Sequence, residues 1–184
     1  KVLAAHTDWV RTVDIDASGT CIVSGSDDGD IRVWTMNLDQ QRHDDLDFGC
    51  ERLEQAHGIG NYVWAVQFVP GRKDRFVSGG TGGSVRVWNN EGGPWRDLEL
   101  YMQFPLPGQV VNCLSIGEQI KAEQFNGWRI AAGSTDGLIS IWGIEKDFLR
   151  RKVEKGSEDM GALQPRPARF CRGHTDAVNA VSFL

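Results

Sequence analysis

Three segments of the chain, CIVSGSDDGDIRVW ending at Trp34, RFVSGGTGGSVRVW ending at Trp88 and RIAAGSTDGLISIW ending at Trp142, align without a gap. Their tryptophans stand at an even interval of 54 (34 to 88, 88 to 142). A fixed period of tens of residues means that one supersecondary unit is copied and stacked, which constrains the fold more than any chain-wide total. Each segment is an apolar run rich in β-branched residues, then a turn of Ser, Thr, Asp and Gly, then a strand alternating apolar and polar into Trp, and this predicts a β-hairpin. Asp28-Gly29 and Asp136-Gly137 supply an Asx-Gly reversal, and Gly82-Gly83 takes its place in the second copy.

A second alignment lies upstream of each hairpin and occurs four times: WVRTVDI from Trp9, YVWAVQF from Tyr62, VVNCLSI from Val110 and AVNAVSF from Ala177. Val10, Val13 and Ile15 match Val63, Val66 and Phe68, then Val111, Leu114 and Ile116, then Val178, Val181 and Phe183. Thr12, Ala65, Cys113 and Ala180 are all small, as expected where strands converge on a crowded axis, so these segments are read as inner strands. His6, His57 and His174 precede three of them. Arg52 to Ala56 and Ala168 to Cys171 supply a further strand ahead of the His, giving four strands per repeat in series.

This pattern resembles the WD-repeat (WD40) family, whose blades open on Gly-His and close on Trp-Asp. The resemblance implies an all-β fold, a WD40 β-propeller, here an incomplete arc of three four-stranded antiparallel blades with flanking strands of neighbouring blades. Residues 1–184 then form part of one domain: 1–8 the end of a preceding blade, 9–57, 58–108 and 109–174 three blades, the last with an insertion at 143–167, and 175–184 the start of another. The chain departs from the family in having Thr35, Asn89 and Gly143, not Asp, after each Trp. The family's buried hydrogen-bonded set of His, Ser or Thr, Asp and Trp is complete only as His6, Ser24, Asp28 and Trp34. The second blade keeps His57, Ser78 and Trp88 with Gly82 for Asp, and the third keeps Asp136 and Trp142 with Ala132 for Ser and no His; His174, just before the fourth inner strand, is the remaining member expected of such sets.

A propeller closes ~4–8 blades. Three blades leave apolar faces and strand edges uncovered, so the expectation is that the remaining blades come from the same longer polypeptide and that this stretch alone aggregates. Lys1 to Ala5 is expected as an outer strand and Ala177 to Leu184 as an inner one.

Connections alternate between the two faces of such a ring. One face receives short turns, and the other receives the longer segments Met36 to Gly49, Gly117 to Gly127 and Gly143 to Pro167. The short-loop face carries Trp9, Tyr62, Arg11, Trp64, Asn112 and Asn179 from the inner strands and Asp27, Thr81 and Thr135 before the hairpin turns. These places resemble those at which WD-repeat scaffolds grip partners, and Trp, Tyr and Arg are the types most enriched at binding hot spots. The expected function is a non-enzymatic scaffold for other proteins in a larger complex; the alternative is a receptor for a linear peptide or modified tail.

Composition narrows the rest. A formal net charge of −5, with no basic run longer than Arg150-Arg151-Lys152, disfavours nucleic acid as a partner. No apolar run approaches the ~20 residues of a membrane span. Cys21, Cys50, Cys113 and Cys171 contain no Cys-x-x-Cys pair, which favours free thiols and an intracellular address in cytoplasm or nucleus. Cys171 with His174 is the one closely spaced pair of zinc-ligand types, and both have structural places in the repeat, so no metal and no cofactor are expected. The sequence offers no nucleophile-base pair or phosphate loop at credible spacing, since the Gly79 to Gly83 run is already a hairpin and lacks the Lys-Ser/Thr of a phosphate loop.

Overall fold

A computed structural model of the chain describes residues 2–37, 47–90, 92–106, 108–117, 120–122, 125–145 and 169–183. The first sheet is a four-stranded meander of β1 (Val10–Ile15), β2 (Cys21–Ser26), β3 (Ile31–Asn37) and β4 (Asp47–Leu53). The second repeats it with β5 (Val63–Phe68), β6 (Arg75–Gly80), β7 (Ser84–Asn89) and β8 (Glu99–Pro105). In the third, β9 (Val111–Ile116), β11 (Phe125–Ser134), β12 (Ile139–Glu145) and β13 (Arg169–Cys171) form the same path. A short β10 (Ile120–Ala122) pairs with the first residues of β11, so part of the Gly117 to Gly127 insertion is a hairpin extension of the blade and not a plain loop. All pairings are antiparallel, and the sheets form an open arc, an incomplete propeller.

The apolar core lies between blades. One cluster joins Val23, Ile31 and Val33 of the first sheet to Val63, Val66, Phe68 and Phe76 of the second. Another joins Val77, Val85, Val87 and Phe104 to Val111, Ile116, Ile130 and Trp142 of the third. Each sheet therefore has two apolar faces, and a blade is stable only against a neighbour. Val10, Val13 and Ile15 show the converse: they are exposed, whereas their counterparts Val63, Val66 and Phe68 are buried against the first blade.

Two devices set the spacing between blades, and both recur at every junction. Gly25, Gly79 and Gly133 occupy one phase of the middle hairpin. A Cβ there would lie 2.5 Å from Val63 Cγ1, 2.5 Å from Val111 Cγ1 and 2.6 Å from Val178 Cγ1, the first valine of the next inner strand in each case. The small residue of the blade's own inner strand pairs with this glycine, as Thr12 with Gly25, Ala65 with Gly79 and Cys113 with Gly133. Small side chains are needed there because a neighbouring valine fills the space. The second device is a hydrogen bond from the last residue of each inner strand to the side chain one place earlier in the preceding blade. Phe68 N–H donates to Asp14 Oδ2 at 2.7 Å, Ile116 N–H to Gln67 Oε1 at 2.9 Å and Phe183 N–H to Ser115 Oγ at 3.1 Å.

Three expectations about elements need correction. Residues 2–5 and 177–183 form no strand, because no ladder partner for either lies among the described residues. The second segment still takes the inner-strand place: Val178 is buried and its N–H donates to the Ser134 carbonyl. The fourth strand of the first blade is Asp47–Leu53 and not 52–56, because the chain after Leu53 turns to set Gln55 against Asp30 and to bring in His57. The centres of the Met36 to Gly49 and Gly143 to Pro167 insertions lie outside the described residues.

Candidate functional site

Each inner strand carries a bulge at the same position. The register steps from Val10–Ser26 to Thr12–Gly25, from Val63–Gly80 to Ala65–Gly79 and from Val111–Ser134 to Cys113–Gly133, leaving Arg11, Trp64 and Asn112 unpaired. A bulge bends the strand and re-aims the extra side chain. The bulge is closed by the N–H of the residue before the hairpin turn, Asp27 to the Trp9 carbonyl, Thr81 to that of Tyr62 and Thr135 to that of Val110. The inner-strand and pre-turn residues read as partner-binding from sequence are thus brought together in each blade by one local geometry.

The first two blades merge these positions into one surface. Arg11 donates through Nε to Asp27 Oδ2 at 2.8 Å and through Nη2 to the same oxygen, and its guanidinium lies 4.7 Å from the centre of the Trp9 ring. Trp64 reaches back from the second blade to donate its indole N–H to Asp27 Oδ1 at 3.0 Å, and Tyr62 stacks on Trp64 with centroids 6.5 Å apart. The hydrogen bonds from Arg11 hold the Asp27 carboxyl below the ordinary range, and the same bonds raise the Arg11 guanidinium, so the pair stays charged. Trp9 is 69% exposed and Tyr62 43%. Tyr62 occupies in the second blade the place of Trp9 in the first, and it stays exposed with a blade packed in front of it.

Ile59 was not anticipated, and it lies in the turn that leads to Tyr62, on the same short-turn side. It is 94% exposed at the tip of the turn leading into β5, between Gly58 and Gly60, both at positive φ. That turn is fixed by Gly60 N–H to Gln55 Oε1, Asn61 N–H to the Gly58 carbonyl and Asn61 Nδ2 to the His57 carbonyl. Thr81 is used inward, its hydroxyl accepting from Tyr62 N–H and donating to Asn61 Oδ1. The sequence signal for Ile59 was an aliphatic residue isolated between two turn glycines.

The other expected binding residues do not join this surface. Asn112 is turned forward, donating to the Val178 carbonyl at 3.3 Å. Thr135 and Asn179 are exposed on the third blade and beyond it.

Behind the surface stand the buried polar sets. In the first blade the His6 ring bonds Asp28 Oδ2 and Ser24 Oγ at 2.8 Å each, and Trp34 donates its indole N–H to Ser24 at 2.9 Å. Burial raises the Asp28 carboxyl, but the N–H groups of Asp30 and Thr7 and the His6 ring outweigh it and hold the group low. The second blade keeps His57 to Ser78 and Trp88 to Ser78 at 2.8 Å. With Gly82 in place of Asp, His57 Nδ1 is buried without a partner. In the third blade the set is not formed: Ala132 offers no hydroxyl, the Trp142 indole N–H is buried without an acceptor, and Asp136 turns outward to Ser134 and Gln109. His174 is exposed and joins no hydrogen-bonded set among the described residues.

Two stretches, residues 1–35 and 50–89, match the family model of the WD domain, G-beta repeat. Over those stretches the chain carries WD repeats. The third blade lies outside those stretches yet repeats the bulge, the interblade glycine and the interblade hydrogen bond of the matched WD repeats. Among WD-repeat relatives, the chain is 24% identical to a ribosome biogenesis protein WDR12 homolog of Trichoplax adhaerens over 96% of this chain and 38% of that protein. It is 24% identical to the ribosome biogenesis protein YTM1 of Yarrowia lipolytica over 97% of this chain and 43% of that one. A shorter match, 37% identical over 47% of the chain and 19% of the relative, is to the nuclear distribution protein PAC1 of Yarrowia lipolytica. The chain thus spans about two fifths of the length of the WDR12 and YTM1 relatives.

Proposed function

We propose that this WD-repeat arc is a non-enzymatic interaction scaffold that holds a protein partner on the surface shared by its first two blades. The observation that carries the reading is the contiguous set of Trp9, Arg11, Asp27, Trp64 and Tyr62, with Ile59 in the turn that leads to Tyr62. Large aromatic and aliphatic side chains are held exposed there by hydrogen-bonded turns, so little freedom is lost on binding. The buried polar groups of the blades are spent on holding hairpins and inner strands together, which supports a structural and not a catalytic use for the histidines.

Relatives named for ribosome biogenesis support a place in an intracellular multiprotein assembly, in cytoplasm or nucleus, for this chain also. The exposed face of Val10, Val13 and Ile15 is suited to another blade: the same positions of the second blade are covered by the first blade's Gly25 hairpin. We infer that a blade of the same polypeptide covers it.

The test is capture of partners by the intact protein, comparing wild type with the Trp9→Ala/Arg11→Ala/Trp64→Ala variant. Partners are lost while the thermal melt is unchanged. Full retention of every partner by the variant contradicts the reading.

A further inference from the structure

How the free chain fills this surface points to what a partner presents to it, on the reading that the surface holds a protein. Three features that recognise a guanidinium meet at one point: the face of Trp9, the carboxylate of Asp27, and an indole N–H from Trp64 that orients this carboxylate. The group they hold is the chain's own Arg11, whose side chain is 40% exposed. The Asp27 side chain is 12% exposed, so the carboxylate is held in place, while the water-accessible guanidinium gains little from an ion pair and a cation–π contact open to solvent on its side, and Arg11 can be displaced. The local charge favours a cation over an anion as its replacement. Asp8, whose side chain caps Trp9 N–H at 2.8 Å, and Asp27 together outweigh Arg11. A carboxylate arriving here meets two others, whereas a guanidinium meets an aromatic face and an oriented acceptor.

We propose that Trp9, Asp27 and Trp64 form an arginine clamp that Arg11 fills in the free chain, and that an arginine of the partner protein enters by displacing it. Tyr62, stacked on Trp64, flanks the clamp and covers the aliphatic neighbours of the incoming residue. Arg11 is therefore a resident competitor and not a contact residue.

The test uses the intact protein labelled with 5-fluorotryptophan, the Trp64 signal being assigned by Trp64→Phe, and titrated with N-acetyl-arginine methylamide or its uncharged citrulline analogue. Arg11→Ala binds the arginine probe about tenfold more tightly than wild type, as for a site whose open form is about one tenth populated. It also prefers that probe to citrulline, and Asp27→Asn removes the response. An Arg11→Ala variant that binds arginine no more tightly than wild type, or that binds citrulline equally well, overturns the clamp. The partner-capture experiment separates the two readings. Loss of the partner by the triple variant together with loss by Arg11→Ala alone leaves the surface standing and removes the clamp. Retention by the triple variant removes the surface itself.

Discussion

At the scale of single residues, the value of a polar group depends on whether its neighbours complete it. Asp28 satisfies His6, Thr7 N–H and Asp30 N–H at once, whereas the exposed Asp136 meets Ser134, Leu138 N–H and Gln109 at the surface. Asp28→Ala therefore destabilises the protein by ~1–3 kcal/mol in urea unfolding, through the partners it strands, and Asp136→Ala by clearly less. Equal losses would contradict this ranking. His57 has the opposite character. Burial, with Arg86 nearby, pushes its imidazole down to about 3 from 6.5. Between those values the unfolded chain binds a proton that the folded chain refuses. Stability is therefore complete above about pH 6.5 and falls as the pH drops, by up to ~1.4 kcal/mol per pH unit. Moving from pH 7.5 to 5 costs ~2 kcal/mol by urea titration, and His57→Gln flattens that dependence. The alignment already showed the missing Asp at Gly82. It did not show that a Cβ at Gly82 would lie 2.8 Å from the His57 carbonyl, which puts backbone where the carboxylate would have to enter.

At the scale of elements, the hairpins, the inner strands and the small-residue position were legible because each is a local pattern repeated at constant phase. The bulges were not. A gapless alignment looks the same whether Arg11, Trp64 and Asn112 are paired or extruded, and only the register reveals it. The interblade glycines were visible as letters, but their reason is non-local: a valine of the next blade, far along the chain, fills the space. Gly79→Ala drives a methyl against Val111 and destabilises by ~1–3 kcal/mol. Val111→Ala in the same chain recovers part of that loss, a non-additivity that a double-mutant cycle of melting free energies measures. Additive losses would mean that the two residues do not share that space. The fourth strand of the first blade was misplaced for a related reason: β4 follows the 38–46 segment, where composition carries no strand period.

At the scale of the whole molecule, the repeat supplies a stack of blades whose core lies between them, and its short-turn side presents the aromatic and charged residues of the inner strands. The sequence divided the two faces by loop length and treated all inner-strand positions as equivalent. The structure separates them. The first two blades share one surface through the Trp64 to Asp27 bond, while Asn112 is turned toward the following segment. Partner engagement should accordingly be lopsided around the axis. The most direct test of the account is amide hydrogen exchange on the intact protein, free and in its purified complex. Binding should slow exchange at residues 7–11, 27–29 and 58–64 and leave the paired residues 120–122 and 125–127 of β10 and β11 unchanged. Protection confined to those paired residues and the rest of the long-loop side would contradict it.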